Sequence, residues 1–158
     1  MNVRSGFTLV EITIVLGIIA ILFAISSLNL SNIAPKTTVD TAVQVLIANL
    51  KQQQLYALTG ETEGQATSNN FGIYFGPGGY TLFHSNTYNA ADTANYTVIL
   101  DAINTSCSSA GSVIIFLKNS GQIENFNPSQ NTITLTQTNT SQSKTVTINK
   151  YGIIESIL

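Results

Sequence analysis

The sequence predicts an α+β chain, in which a long N-terminal α-helical spine with a membrane-spanning first half carries an antiparallel β-rich C-terminal head. Three observations predict it. After Glu11 a stretch without a formal charge runs to Pro35, and its first part, Ile12 to Ile25, is nearly all Ile, Leu, Val, Ala and Phe. Behind it, apolar residues recur at helical spacing as far as Gly60. Beyond Gly60, short alternating runs are separated by turn residues.

The first segment, Phe7 to Leu28, would be about 33 Å long as a helix, enough to cross a hydrocarbon core of about 30 Å. In the second, Val39, Ala42, Val43, Leu46, Leu50 and Ala57 form one stripe widened by Ile47 and Leu58. Asp40, Gln44, Lys51 and Gln52 take the other faces, which is the pattern of a helix with one buried side. Pro35 either starts its first turn or kinks a continuous helix, and Gly60 suits its C-terminal cap. The division is then 1–6 as a short leader, 7–30 as the apolar helix, 31–59 as the amphipathic helix and 60–158 as the head.

Within the head, 60–70 reads as a polar loop. Phe71 to Phe75 and Tyr80 to His84 flank Gly76-Pro77-Gly78-Gly79, a hairpin signal. Tyr96 to Leu100 follows as a strand. Val113 to Lys118 and Gln122 to Phe126 flank Asn119-Ser120-Gly121 as a second hairpin, and Thr132 to Thr138, Lys144 to Asn149 and Tyr151 to Leu158 complete the set. Period-two alternation buries one face and wets the other.

Composition narrows the function classes. Charged residues make up only 9% of the 158, whereas Thr, Ser, Asn and Gln number 60, so uncharged polar groups supply most of the wetted surface. Six Lys plus Arg against eight Asp plus Glu leave a net charge of −2 and no basic cluster to displace counterions from a phosphate backbone. One His and one Cys leave almost no room for metal cages, thiol pairs or Cys/His catalysis. Cys107 lies in a small polar run with no neighbouring base or cation to lower its thiol pKa, so it reads as inert.

The N-terminus admits two readings. Ala24-Ile25-Ser26 offers small residues to a general secretory peptidase, which would release a protein starting near Ser27. Glu11 opposes this, because an ionised carboxylate in hydrocarbon costs about 2–3 kcal/mol or more and calls for a functional reason. Gly6-Phe7-Thr8-Leu9-Val10-Glu11, after a leader carrying Arg4 and before an apolar helix, resembles the processing signature of type IV pilins and type II secretion pseudopilins. The resemblance implies cleavage between Gly6 and Phe7 by a membrane-embedded prepilin peptidase, N-methylation of Phe7, and Glu11 as the assembly residue. It implies as partners other pilin or pseudopilin subunits and an inner-membrane assembly platform with its ATPase. A carboxylate is tolerable in hydrocarbon when paired with a cation, and the freed Phe7 amine of an adjacent subunit would be that cation.

The head, through Asn70-Phe71-Gly72-Ile73-Tyr74-Phe75, Gly79-Tyr80-Thr81-Leu82-Phe83, Gly121-Gln122-Ile123 and Tyr151-Gly152-Ile153-Ile154, is similar to H-type pseudopilins and to minor pilins of the FimT kind. The implied protein is a minor filament component anchored by a single pass in the bacterial inner membrane, its head extracytoplasmic. Some FimT-like relatives bind DNA through C-terminal arginines; this chain has no Arg after Arg4, so nucleic acid is not expected as a partner.

Other candidate sites read as structural. His84 beside Ser85 lacks the sharp nucleophile turn of a serine triad and reads as a surface or strand-end histidine. Glu61 with Glu63, and Asp92 with Asp101, are too few oxygens for calcium and read as solvated loop charges. Gly76-Pro77-Gly78-Gly79 lacks the Lys-Ser/Thr ending of a phosphate loop. Tyr74, Phe75, Tyr80 and Phe83 read as core against the helix rather than as a sugar- or peptide-binding face. Lys144 and Lys150 share a face if no turn intervenes. No catalytic residue, metal or cofactor is expected, and a filament subunit is the leading function class, ahead of a tethered or secreted binding module and an enzyme.

Overall fold

The computed structural model describes residues 8–27, 38–64 and 66–158. The chain divides into two units, Met1–Lys36 and Thr37–Leu158. In the first, helix α1 spans Leu9–Ser27 and its described side chains are apolar on every side except for Glu11 and Thr13, whose hydroxyl donates to the Val10 carbonyl at 2.9 Å. Its 19 residues give about 28 Å. Among the described residues no helix is long and apolar enough to cross a membrane. The ends of the expected span, residues 7 and 28–30, lie outside the described residues, as does Pro35.

The second unit opens with α2, Val39–Thr59. Thr38 caps it, its hydroxyl accepting from the Thr41 N–H at 3.3 Å. Gly60 ends it in the left-handed conformation (φ 68°), and the N–H groups of Gly60 and Glu61 both donate to the Tyr56 carbonyl. The buried stripe holds Val39, Ala42, Val43, Leu46, Leu50 and Ala57 as expected, with Gln53 added; Ile47 is partly buried, whereas Leu58, expected to widen the stripe, is exposed.

Eight strands follow: β1 Phe71–Gly76, β2 Gly79–Phe83, β3 Tyr96–Ile99, β4 Ile103–Cys107, β5 Val113–Phe116, β6 Thr132–Gln137, β7 Ser143–Ile148 and β8 Ile154–Ile157. They form two antiparallel four-stranded sheets, ordered β3-β2-β1-β5 and β4-β6-β7-β8. Helix α2 packs mainly on β1 and β5 of one sheet and β6 and β7 of the other. Its Val43, Leu46 and Leu50 meet Phe71, Ile73, Phe116, Ile133, Leu135 and Val146 in a single core. Burying a side chain of this size stabilises by roughly 1.5–3 kcal/mol. The sheets join at a corner, where the buried Thr105 hydroxyl donates to the carbonyls of Gly76 (3.0 Å) and Gly79 (2.5 Å).

Several expectations change. Pairing of Gly76 with Gly79 leaves a two-residue Pro77-Gly78 turn, tighter than the expected four. Strand β4 is absent from the expected set and takes in part of the small polar run around Cys107. Gln122 to Phe126 is no strand: Ile123 makes an isolated bridge to Phe116, and Asn125 adopts a φ of 48°, which ends extended pairing. A turn, with Gly152 at φ 70°, separates β7 from β8, so Lys144 and Lys150 do not share a strand face. Lys144 is also committed to Asp40 at 3.1 Å.

Candidate functional site

Of the residues the N-terminal signature singles out, Gly6 and Phe7 lie outside the described residues. Glu11 stands in the first turn of α1. The Thr8 hydroxyl accepts from the Glu11 N–H at 3.3 Å, and a Glu11 carboxylate oxygen reaches back to the Thr8 N–H at 3.5 Å. The Glu11 and Ile12 N–H groups also donate to the Thr8 carbonyl. This is a capping box, Thr-x-x-Glu, drawn at long distances. The sequence carries its signal in Thr8 and Glu11, and a reading that assigns Glu11 only to assembly misses Thr8. A carboxylate here also meets the positive end of the helix dipole. Glu11 is exposed, as are the apolar side chains around it, Ile12, Val15 and Leu16 among them.

The other candidates lie in the head, each in a role of its own. His84 is buried, not on the surface: its Nδ1 lies 3.0 Å from a Glu63 carboxylate oxygen, its ring packs near Phe71, and its Nε2 has no partner. Glu63 therefore holds a specific contact, unlike an ordinary solvated loop charge. Cys107 is half-buried on β4, and burial pushes its thiol pKa up, away from nucleophilic use. The hairpin aromatics split between faces. Phe75 and Tyr80 enter the core, whereas Tyr74 stacks on Tyr88 at 4.1 Å on the outer face and Phe83 covers Gly72. A Cβ on Gly72 would sit 2.4 Å from the Phe83 ring, so the glycine makes room for it. Among the described residues no group of three or more His, Cys, Asp or Glu could hold a metal ion.

Neither a curated protein nor a solved structure matches the chain. Residues 1–27 match the family model of the prokaryotic N-terminal methylation motif. The match covers Gly6, Phe7, the Thr8–Glu11 capping box and the whole of α1. A methylation motif leading directly into a capped, apolar helix, with an α+β head behind it, marks the chain as a type IV pilin-like protein.

Proposed function

We propose that the chain is a minor pseudopilin, of the H-type or FimT-like kind, built into a short filament of a type II secretion system and supporting protein secretion. The observation that carries this reading is α1. Apolar side chains cover its whole circumference, from Leu9, 80% exposed, to Leu22, 58% exposed. A helix apolar all round is stable only when lipid or other apolar helices surround it. Before assembly the cover is the bacterial inner membrane, crossed once, with the head outside the cytoplasm. Afterwards it is the helices of neighbouring subunits on the assembly platform. The protein is a structural subunit rather than an enzyme, and it uses no cofactor.

Glu11 joins the two states. Cleavage between Gly6 and Phe7 places an amine four residues before Glu11, and the amine of one subunit pairs with Glu11 of the next. The leader keeps that amine away until processing, so cleavage licenses assembly. DNA uptake, the role of some FimT-like relatives, fits less well, because Lys144 is already neutralised by Asp40 and Lys150 sits in a separate turn.

Intact-mass measurement and N-terminal sequencing of the membrane-extracted protein test the processing. The expected product starts at Phe7 and is heavier by one methyl group. An unprocessed chain, or one starting near Ser27, overturns the reading.

A further inference from the structure

Helix α2 sits over β1 and β5, which leaves the β2–β3 edge of that sheet beside the helix rather than beneath it. Between them lies a cleft of about 470 Å³. One wall is helical, made by Asn49, Gln52, Gln53 and Tyr56. The opposite wall is Leu82 and Tyr96, which face each other across the β2–β3 register and so project to the same side of the sheet. Glu63 closes one end.

The polar groups of this cleft are biased toward accepting hydrogen bonds. The Asn49 amide nitrogen already donates to the Tyr80 hydroxyl at 2.8 Å, and that of Gln52 to the Tyr56 hydroxyl at 2.7 Å. Their carbonyl oxygens remain free to accept. Gln53 is 4% exposed, and its Oε1 is buried without a partner. A buried acceptor left without a partner is destabilising, and a donor entering the cleft would satisfy it. One Glu63 oxygen faces His84, leaving the other for a ligand. Among the described residues no Lys, Arg or His lines the cleft. Four acceptors, one of them charged, beside the rings of Tyr56 and Tyr96 match an alkylammonium or guanidinium group, which donates only and is attracted to aromatic faces.

The adjacent strand indicates how such a group would be presented. The Leu100 N–H donates to the Gly78 carbonyl at 2.8 Å. Bonded pairs alternate along an antiparallel ladder. In this register Val98 and Tyr96 therefore point their backbone groups at β2, while Thr97 and Ile99 turn theirs to the open edge. Strand β3 carries no charge or proline to blunt that edge, and Ile99 is 77% exposed.

We propose that this cleft and edge form a docking site for an extended peptide segment of a partner protein, which pairs with β3 and inserts a lysine or arginine side chain between α2 and Tyr96. Backbone pairing supplies affinity, and the acceptor-lined cleft supplies selectivity. The site lies wholly within the second unit, Thr37–Leu158, and does not depend on filament assembly.

The test uses the full-length chain in detergent micelles and a blocked, fluorescently labelled heptapeptide of alternating Thr and Val with a central lysine. Anisotropy titration should show saturable binding. Acetylating the central lysine, methylating the edge-facing peptide nitrogens, or introducing Tyr96→Ala or Gln53→Leu should each weaken binding about tenfold or more, equivalent to about 1.4 kcal/mol or more. Blocked lysine alone, lacking a strand, should bind at least about tenfold more weakly than the peptide. Equal binding of the acetylated peptide overturns the cationic pocket, and equal binding of the N-methylated peptide or of blocked lysine overturns strand pairing. Absence of binding at millimolar peptide overturns the whole proposal. The Glu11→Ala chain should bind the peptide as the parent does, so this result and the filament reading can fail separately.

Discussion

Glu11 caps α1 and is proposed to pair with a neighbouring subunit, two roles that one substitution would confound. In the single chain its backbone and carboxylate complete the capping box with Thr8; in the proposed filament its charge meets a neighbour's Phe7 amine. Glutamine retains capping-box chemistry but not charge. Glu11→Gln should therefore preserve the helical start of α1, membrane insertion and cleavage, yet lose intersubunit cross-links as fully as Glu11→Ala. Either change leaves an amine uncompensated in an apolar setting, at a cost of about 3–5 kcal/mol per contact. Cross-linking in membranes reads the outcome: wild-type yield in Glu11→Gln would assign Glu11 to capping alone. Glu11 was legible in the sequence because the methylation motif is a local pattern, complete within a few positions; Thr8 was not read as its capping partner, although the Thr-x-x-Glu spacing is as local.

At the scale of elements, legibility followed sequence distance. Helix α2 was readable from its stripe and Gly60, β1 and β2 from the Gly76-Pro77-Gly78-Gly79 turn between them, and β6 and β7 from their alternation. Strand β4 was not, because Ile103-Asn104-Thr105-Ser106-Cys107 hides its inward face behind a threonine. That threonine becomes core only through the carbonyls of Gly76 and Gly79, more than twenty residues earlier. Gln122 to Phe126 has the reverse problem: its composition suits a strand, but one positive φ at Asn125 breaks it. Gly79 ties these elements together. Its φ is 150°, and a Cβ there would fall 2.0 Å from the Val98 carbonyl oxygen. Gly79→Ala should therefore force β3 from β2 and destabilise the head by about 3 kcal/mol. Urea unfolding followed by β-sheet circular dichroism would measure this, and a loss under about 1 kcal/mol would show that the edge yields easily. By contrast, Gly78→Ala meets no neighbour within 4 Å and bears only the strain of its φ of 77°.

For the whole molecule, a single core under α2 determines how the head responds to its surroundings, and the α2–β3 cleft shows why that level escapes sequence reading. Its walls come from positions as far apart as Asn49 and Tyr96, and no local pattern in the chain joins them. The same packing makes stability depend on alkaline pH. Tyr80 is 1% exposed, and burial raises its phenol from 10.0 to about 12, against a smaller lowering by the Asn49 hydrogen bond. A phenol is neutral when protonated, so below about pH 10 folded and unfolded chains hold the same proton and stability is unaffected. Between about pH 10 and 12 the unfolded chain releases that proton while the folded chain keeps it. Unfolding is then favoured by an amount that grows to roughly 2–3 kcal/mol and levels off above the folded pKa. Cys107, also raised by burial, adds a loss that begins nearer pH 9. In Cys107→Ala, urea midpoints measured from pH 8 to 12 should hold steady to about pH 10 and then fall. Adding Tyr80→Phe lowers the starting stability through the lost Asn49 contact but should remove most of the slope between pH 10 and 12. An unchanged slope in that double variant would assign the alkaline loss to groups other than Tyr80.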